Sequence, residues 1–230
     1  MLALLYDVHG NLAALDAVLA DAERAGARRY LLGGDYALFG SRPAETVERL
    51  RSLDAEWIRG NGERWVASPS DAPGDEVVQG AIAACREALG PEVVDELAAL
   101  PERTKRDGVL YCHASPISDV RSFLPEPGDE EIELLGGVEA SRVVFGHTHL
   151  PFRRRSSADG RIELVNPGSV GMPFDGDPRA AYALVAEGGE LEHRRVAYDS
   201  AAAAAALRER FGAPFADTAA RRIERARMDA

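Results

Sequence analysis

The sequence predicts a layered α/β fold built as one domain. Three observations carry this: short apolar runs that end in polar clusters, helical stripes of apolar residues between those runs, and a length that suits one core. The chain has 230 residues, within the roughly 200–250 that a single α/β domain can occupy. Its composition, 46% hydrophobic and 28% charged, is that of a soluble globular protein, which argues against disorder. No apolar run approaches the roughly 18 residues of a membrane span, so no membrane partner is expected.

The first run, Leu2–Tyr6, reads as a strand buried on both faces and stops at Asp7-Val-His9-Gly-Asn. Asn11 can then cap a helix whose stripe of Leu12, Leu15, Val18, Leu19, Ala22 and Ala25 closes at Gly26. Tyr30–Leu32 is a second strand ending at Gly33-Gly-Asp35, followed by a helix from about Pro43 to Leu53. Trp57 and Ile58 belong to a third strand, ending at Gly60-Asn61-Gly62-Glu63. Residues 64–104 carry apolar side chains at helical spacing around breaks at Gly74 and Gly90-Pro91, which predicts two or three helices forming a crossover or a lid.

Thr104–Cys112 reads as a hairpin turning at Asp107-Gly108, and its second strand ends at His113. Residues 114–140, rich in Pro, Gly and acid, predict a long surface loop with one short helix near 129–135. Arg142–Phe145 is a fifth strand, ending at Gly146-His147-Thr148-His149. A hairpin turning at Asp159-Gly160 spans Phe152–Val165, and Ala181–Ala186 pairs with Leu191–Val196 across Gly188-Gly189, so the second half is expected to be antiparallel. Six alanines from Ala201 make a strong helix between Asp199-Ser200 and Gly212, and the basic stretch Arg221–Arg227 predicts a solvated helical face or a contact with a second copy.

The residues at the ends of five strands form one set: Asp7, His9, Asp35, Asn61, His113, His147 and His149. Ligands of parallel α/β sheets sit outside the carboxyl ends of strands, so these clusters are expected to converge on one crevice. Singly, each has an ordinary reading as a cap, a turn residue or a hydrogen-bonded core histidine. Together they hold four of the five histidines and suggest a metal site. Mixed imidazole, carboxylate and amide donors suit Mn, Zn, Fe, Co or Ni better than Mg. Cys85 and Cys112 have no CxxC spacing and are expected to be reduced and inert.

The pattern resembles the calcineurin-like metallophosphoesterases, in particular the compact bacterial phosphodiesterase-like branch. That family's signature of Asp-x-His, Gly-Asp, Gly-Asn, a lone His and Gly-His-x-His is matched in order by Asp7/His9, Gly34-Asp35, Gly60-Asn61, His113 and Gly146-His147-Thr148-His149. Asn166–Gly171 and the run from Asp177 to Tyr182 are also similar. The resemblance implies a four-layer α-β-β-α sandwich of two mixed sheets flanked by helices. The expected organisation is a metallophosphoesterase domain over residues 1–200, with a helical insertion at 64–104, and a C-terminal helical tail over 201–230.

The resemblance further implies two divalent transition-metal ions, Mn favoured. Asp7, His9 and His149 would hold one; Asn61, His113 and His147 would hold the other; Asp35 would bridge them. The implied function is hydrolysis of a phosphodiester, nucleotide or phosphomonoester by a metal-activated hydroxide, with no catalytic side chain beyond the metal-bound water. Where the family often has His after the Asn, this chain has Gly62, so the usual group at the leaving oxygen is missing and Glu63 has nothing to orient.

The alternatives are a non-catalytic metal-binding scaffold on the same fold, a dinucleoside tetraphosphate hydrolase or a protein phosphatase. A net charge of −11 counts against an obligate nucleic-acid partner, whereas two divalent cations would outweigh Asp7 and Asp35 and draw a small phosphorylated substrate. The start, MLALLYDVHG, lacks a basic segment before its apolar run, so a cytoplasmic protein is expected. A homo-oligomer stays open.

Overall fold

A computed structural model of the chain describes residues 1–158, 160–212 and 214–229. The strands are β1 (Leu2–Leu5), β2 (Arg29–Leu32), β3 (Ala55–Trp57), β4 (Arg103–Arg106), β5 (Val109–Cys112), β6 (Arg142–Val144), β7 (Phe152–Arg155), β8 (Glu163–Asn166), β9 (Ala180–Val185) and β10 (Leu191–Val196). The helices are α1 (Leu12–Arg24), α2 (Pro43–Arg51), α3 (Asn61–Ala67), α4 (Glu76–Leu89), α5 (Pro91–Ala98), α6 (Glu131–Leu135), α7 (Ser200–Phe211) and α8 (Pro214–Arg225).

Two five-stranded sheets stack, one in the order β10-β9-β1-β2-β3 and the other β4-β5-β6-β8-β7. Alternation along each strand assigns its side chains to layers. Leu4, Tyr6, Leu31 and Ile58 from the first sheet meet Tyr111, Val144 and Val165 from the second, forming the interior of the sandwich. Ala3, Leu5, Tyr30 and Leu32 point the other way, into a core closed by α1, α2, α4, α5, α7 and α8. Leu110, Val143, Phe145 and Leu164 back onto Phe123, Leu134 and Leu135 of the long loop and α6. This is the four-layer arrangement of two mixed sheets flanked by helices.

Local chemistry fixes the element ends. Asn11 accepts from Ala14 N at 3.2 Å to start α1, and Gly26, at φ +92°, follows its end. Asp75 caps α4 and Asp199 caps α7 in the same way. Asp107 and Gly108 both have positive φ, as a two-residue β4–β5 turn requires.

One expectation is corrected. The second half is mixed rather than antiparallel, because β5, β6 and β8 run parallel. Only β4–β5, β7–β8 and the pairs made by β9 are antiparallel. Short loops of Gly and Asp suggest hairpins, but the parallel β5–β6 link uses the whole 113–141 segment as its crossover, which reads in sequence as a surface loop. The turn expected at Asp159-Gly160 involves Asp159, which lies outside the described residues.

The helices of segment 64–104 join the outer layer rather than standing apart, α4 against α8 and α3 against α5. No helix among the described residues is long and apolar enough to cross a membrane.

Candidate metal centre

The first sheet delivers Asp7 and His9 just beyond β1, Asp35 beyond β2 and Asn61 beyond β3; the second delivers His113 beyond β5 and His147 and His149 beyond β6. All seven sequence-predicted residues therefore sit at one end of the sandwich, in the seam between the sheets. The loops bind one another: Asp7 N donates to Gly34 O at 3.2 Å, His9 N to Asp35 O at 2.8 Å and Gly146 N to His113 O at 2.7 Å. At Gly34, with φ +95°, a Cβ would lie 2.6 Å from Gly60 Cα, so these two strand ends approach as closely as they do only without side chains.

Holding the donors together demands unusual backbone. Asp7, His9, Asp35, His147 and His149 all have φ between 50° and 66°. Such conformations are costly for residues with a Cβ and cluster at functional sites. No spacing in the sequence signals this strain.

The donor atoms face one another. Asp7, His9 and His149 each offer one ligand atom within 4.8 Å of the others, and so do Asp7, Asp35 and His113. His9 Nε2 lies 3.1 Å from His149 Nε2. The two oxygens of Asp35 reach apart, Oδ2 to 3.8 Å from His9 Nε2 and Oδ1 to 3.5 Å from His113 Nε2. Asp7 Oδ1 also spans the groups, 3.6 Å from His149 Nε2 and 3.9 Å from His113 Nε2. Asn61 Oδ1 lies 2.9 Å from His113 Nε2. With its amide reversed, the nitrogen would instead donate to Asp119 O, to His113 Nε2 and, at 2.8 Å, to His147 Nδ1.

Three rings are oriented from behind. His9 Nδ1 donates to Leu38 O at 2.9 Å, His113 Nδ1 to Gly33 O at 2.8 Å and His149 Nδ1 to Met172 O at 2.5 Å. A proton on Nδ1 leaves the Nε2 lone pair facing the cluster, the tautomer a metal ligand needs. Phe174 stacks on His149 at 4.3 Å and 16°.

Burial holds His9 and His149 below the usual imidazole range and pushes His147 down to about 4, so these rings are neutral at pH 7. Burial acts on His113 in the same direction, but Asp35 and Asp7 outweigh it and raise it. Burial opposes ionisation of Asp35, yet His113, His9 and His147 outweigh that and hold it low. Asp7 is raised, because burial dominates and His113 only partly offsets it. Its Oδ1 is buried with no hydrogen-bond partner. A divalent cation would satisfy both that unpartnered Asp7 oxygen and the Nε2 lone pairs that His9 and His149 turn toward the cluster.

A family model described as the calcineurin-like phosphoesterase superfamily domain matches residues 1–188. The chain belongs to this superfamily. It is 30% identical over 219 residues to protein MJ0912 of Methanocaldococcus jannaschii, covering 86% of this chain and 88% of that one. A crystal structure of a metallophosphoesterase from Sphaerobacter thermophilus superposes with a TM-score of 0.82 at 28% identity, covering 98% of each chain. Protein PH1004 from Pyrococcus horikoshii shares the fold, with a TM-score of 0.73 at 20% identity over 86% of this chain and 89% of that chain. Calcineurin-like phosphoesterases are metal-dependent hydrolases, and the converging donors fit that dependence.

The role expected of Glu63 is corrected. Glu63 orients backbone rather than a histidine: Asp35 N, Tyr36 N and Gly60 N donate to its carboxylate at 2.9, 2.8 and 2.8 Å. Burial, then Asp35, raises it to about 6. It ties the end of β2 to the end of β3. Asn166 does similar work, donating to Gly146 O at 2.9 Å and Thr148 Oγ1 at 3.0 Å. An acid three residues after Gly60, in the first turn of α3, was the available sequence signal for Glu63; nothing in the sequence distinguishes Asn166 as a brace. Cys85 and Cys112 are buried free thiols, and burial raises both well above the usual thiol range.

Proposed function

We propose that the chain hydrolyses P–O bonds of a small phosphorylated molecule at a centre of two divalent transition-metal ions. The observation that carries this reading is the pair of carboxylates, each spanning both histidine groups: Asp7 Oδ1 between His149 and His113, Asp35 between His9 and His113. Asp7, His9 and His149 would hold one ion and Asn61, His113 and His147 the other, with Asp35 between them. Bound there, such ions supply an activated water and neutralise charge on the phosphoryl oxygens. The mixed imidazole, carboxylate and amide donors suit Mn, Zn, Fe, Co or Ni better than Mg, and of these Mn is our reading.

The chain's own residues set the geometry. Gly33, Leu38 and Met172 carbonyls fix three tautomers, and Glu63 fixes the Asp35 loop. Gly62 N donates to Asp35 Oδ1 at 2.7 Å, leaving Oδ2 directed at His9. No side chain at position 62 can protonate a leaving oxygen. Elemental analysis of metal-loaded protein, combined with a panel of phosphate mono- and diesters, tests the reading. Two ions per chain with ester hydrolysis is expected; one ion or none in folded protein defeats the dinuclear centre, and two ions without hydrolysis of any ester favours the scaffold alternative.

A further inference from the structure

Beside His113 lies a pocket of about 490 Å³ walled by Arg59, Arg64, Glu102, Arg103 and the loop Ser115–Asp119. A larger groove of about 760 Å³ between α1, α2 and the ends of α4 and α5 includes none of the seven donors. The smaller pocket touches the candidate centre twice: His113 lines it, and Asp119 O lies 3.1 Å from the Asn61 amide. Arg64 grips Asp119 through Nε and Nη2 at 2.6 and 2.8 Å, which stiffens that wall. Arg59 donates to Ala98 O at 3.2 Å and Glu102 Oε1 at 2.5 Å, while its Nε is buried without a partner. Arg103 donates to Pro116 O at 2.7 Å and has no carboxylate partner among the described residues.

Three guanidiniums against Glu102 and Asp119 leave this pocket positive in a chain of net charge −11. Each guanidinium has five donors in a rigid fork suited to phosphoryl oxygens, and those of Arg59 and Arg103 are only partly used. We propose that the pocket binds a second phosphoryl group of the substrate while the first lies at the metal centre, so that the preferred substrates are small molecules carrying two phosphoryl groups. This rests on the phosphoesterase reading above. It assigns Arg103 and Arg59 to specificity, with Arg64 as the residue that positions Asp119.

The test is calorimetric binding of alkane diphosphonates of graded length, and of the matching alkyl monophosphonates, to metal-loaded protein. The parent should bind one diphosphonate at least tenfold more tightly than its monophosphonate. In Arg103→Gln, an exposed position where folding is not at stake, that ratio should fall by about tenfold, the worth of one charge-assisted contact. Arg103→Lys should recover part of it. A ratio near one at every length overturns the proposal. So does a high ratio that Arg103→Gln leaves unmoved, because the diphosphonate would then be bridging the ions. If the ratio behaves as expected but no phosphate ester is hydrolysed, the pocket stands and the hydrolase reading fails.

Discussion

At the scale of single residues, the centre depends on a carboxylate that is itself held in place. Asp35 takes Gly62 N on Oδ1, directs Oδ2 at His9, and has its backbone fixed by Glu63. Asp35→Asn should therefore lower metal occupancy and activity together, measured by elemental analysis after dialysis; full occupancy in the variant would show that Asp35 is not shared. Glu63→Gln keeps the shape but weakens three charge-assisted bonds, and metal affinity should drop by about 10–100-fold, as for other outer-shell ligand supports. An unchanged dissociation constant in a competition titration would sink that role.

Gly62 is more constrained than its sequence position implies. A Cβ there would lie 2.8 Å from Asp35 Oδ1, so Gly62→His must displace the Asp35 carboxylate before its ring can reach any leaving oxygen. The expected outcome is loss of metal before any gain in acid catalysis. In the parent, the absent general acid, worth about 10²–10⁴-fold where it operates, should give a steep dependence of kcat/KM on leaving-group pKa. A shallow slope across a series of aryl and alkyl phosphates would show that another group supplies the proton.

At the scale of elements, apolar runs, caps and glycines made the strands and helices legible. β1, α1, the Asp107-Gly108 turn and α7 stand where buried stripes and Asn11 or Asp199 place them. Sheet direction was not legible, because β5–β6 pairing depends on a crossover whose packing rests on scattered residues. Phe123 is buried there between proline-rich stretches, and Glu131 is buried although acids are usually solvated. Glu131 accepts from Ser157 N and Ser157 Oγ at 2.8 Å and pairs with Arg154 of β7, tying α6 to the sheet edge.

Burial alone would raise the Glu131 carboxyl, but Arg154 and Ser157 outweigh it and hold it below the ordinary range. A carboxylate depressed in the folded state stabilises above its unfolded pKa, about 4.3 for Glu, and that stabilisation fades as pH falls through the folded pKa. Glu131→Gln should thus melt well below the parent at neutral pH, with the gap closing in acid. A gap that stays constant down to about pH 3, below the unfolded value for Glu, would remove the ionised pair as its cause.

At the scale of the molecule, the convergence of the seven candidate donors was legible because they stand at strand ends in a recognisable order. The shell that holds them was less so: positive φ at five donors, carbonyls behind three rings and the Arg59–Arg103 pocket all arise from loops folded against each other. Residues beyond 188 lie outside the family pattern, yet Leu207, Phe215, Ala219, Ala220 and Ile223 are buried in the main core. Phe215 packs so closely on α4 that a Cβ on Gly80 would lie 3.2 Å from its ring. The residue after α8 also reaches a site loop, with Gly176 N donating to Ala226 O at 2.9 Å. This bond anchors the segment that carries Met172, the carbonyl behind His149, and Phe174, the ring stacked on it.

We therefore predict that residues 201–230 act as part of the domain rather than as a separable tail. Leu207, Phe215 and Ile223 each contribute about 1.5–3 kcal/mol by burial, a sum comparable with the whole stability of roughly 5–15 kcal/mol of an ordinary domain. A chain ending at residue 200 should lose cooperative thermal unfolding and bind a hydrophobic dye, whereas Phe215→Ala should remain folded but be destabilised by about 3–5 kcal/mol. The two variants separate packing from chemistry: Phe215 packs on α4, which carries none of the candidate donors, so the point variant should still take up its full metal complement at temperatures well below its melting point. If the shortened chain unfolds cooperatively near the parent midpoint and binds the same number of ions, the C-terminal helices are an accessory layer and the boundary at residue 200 is a real one.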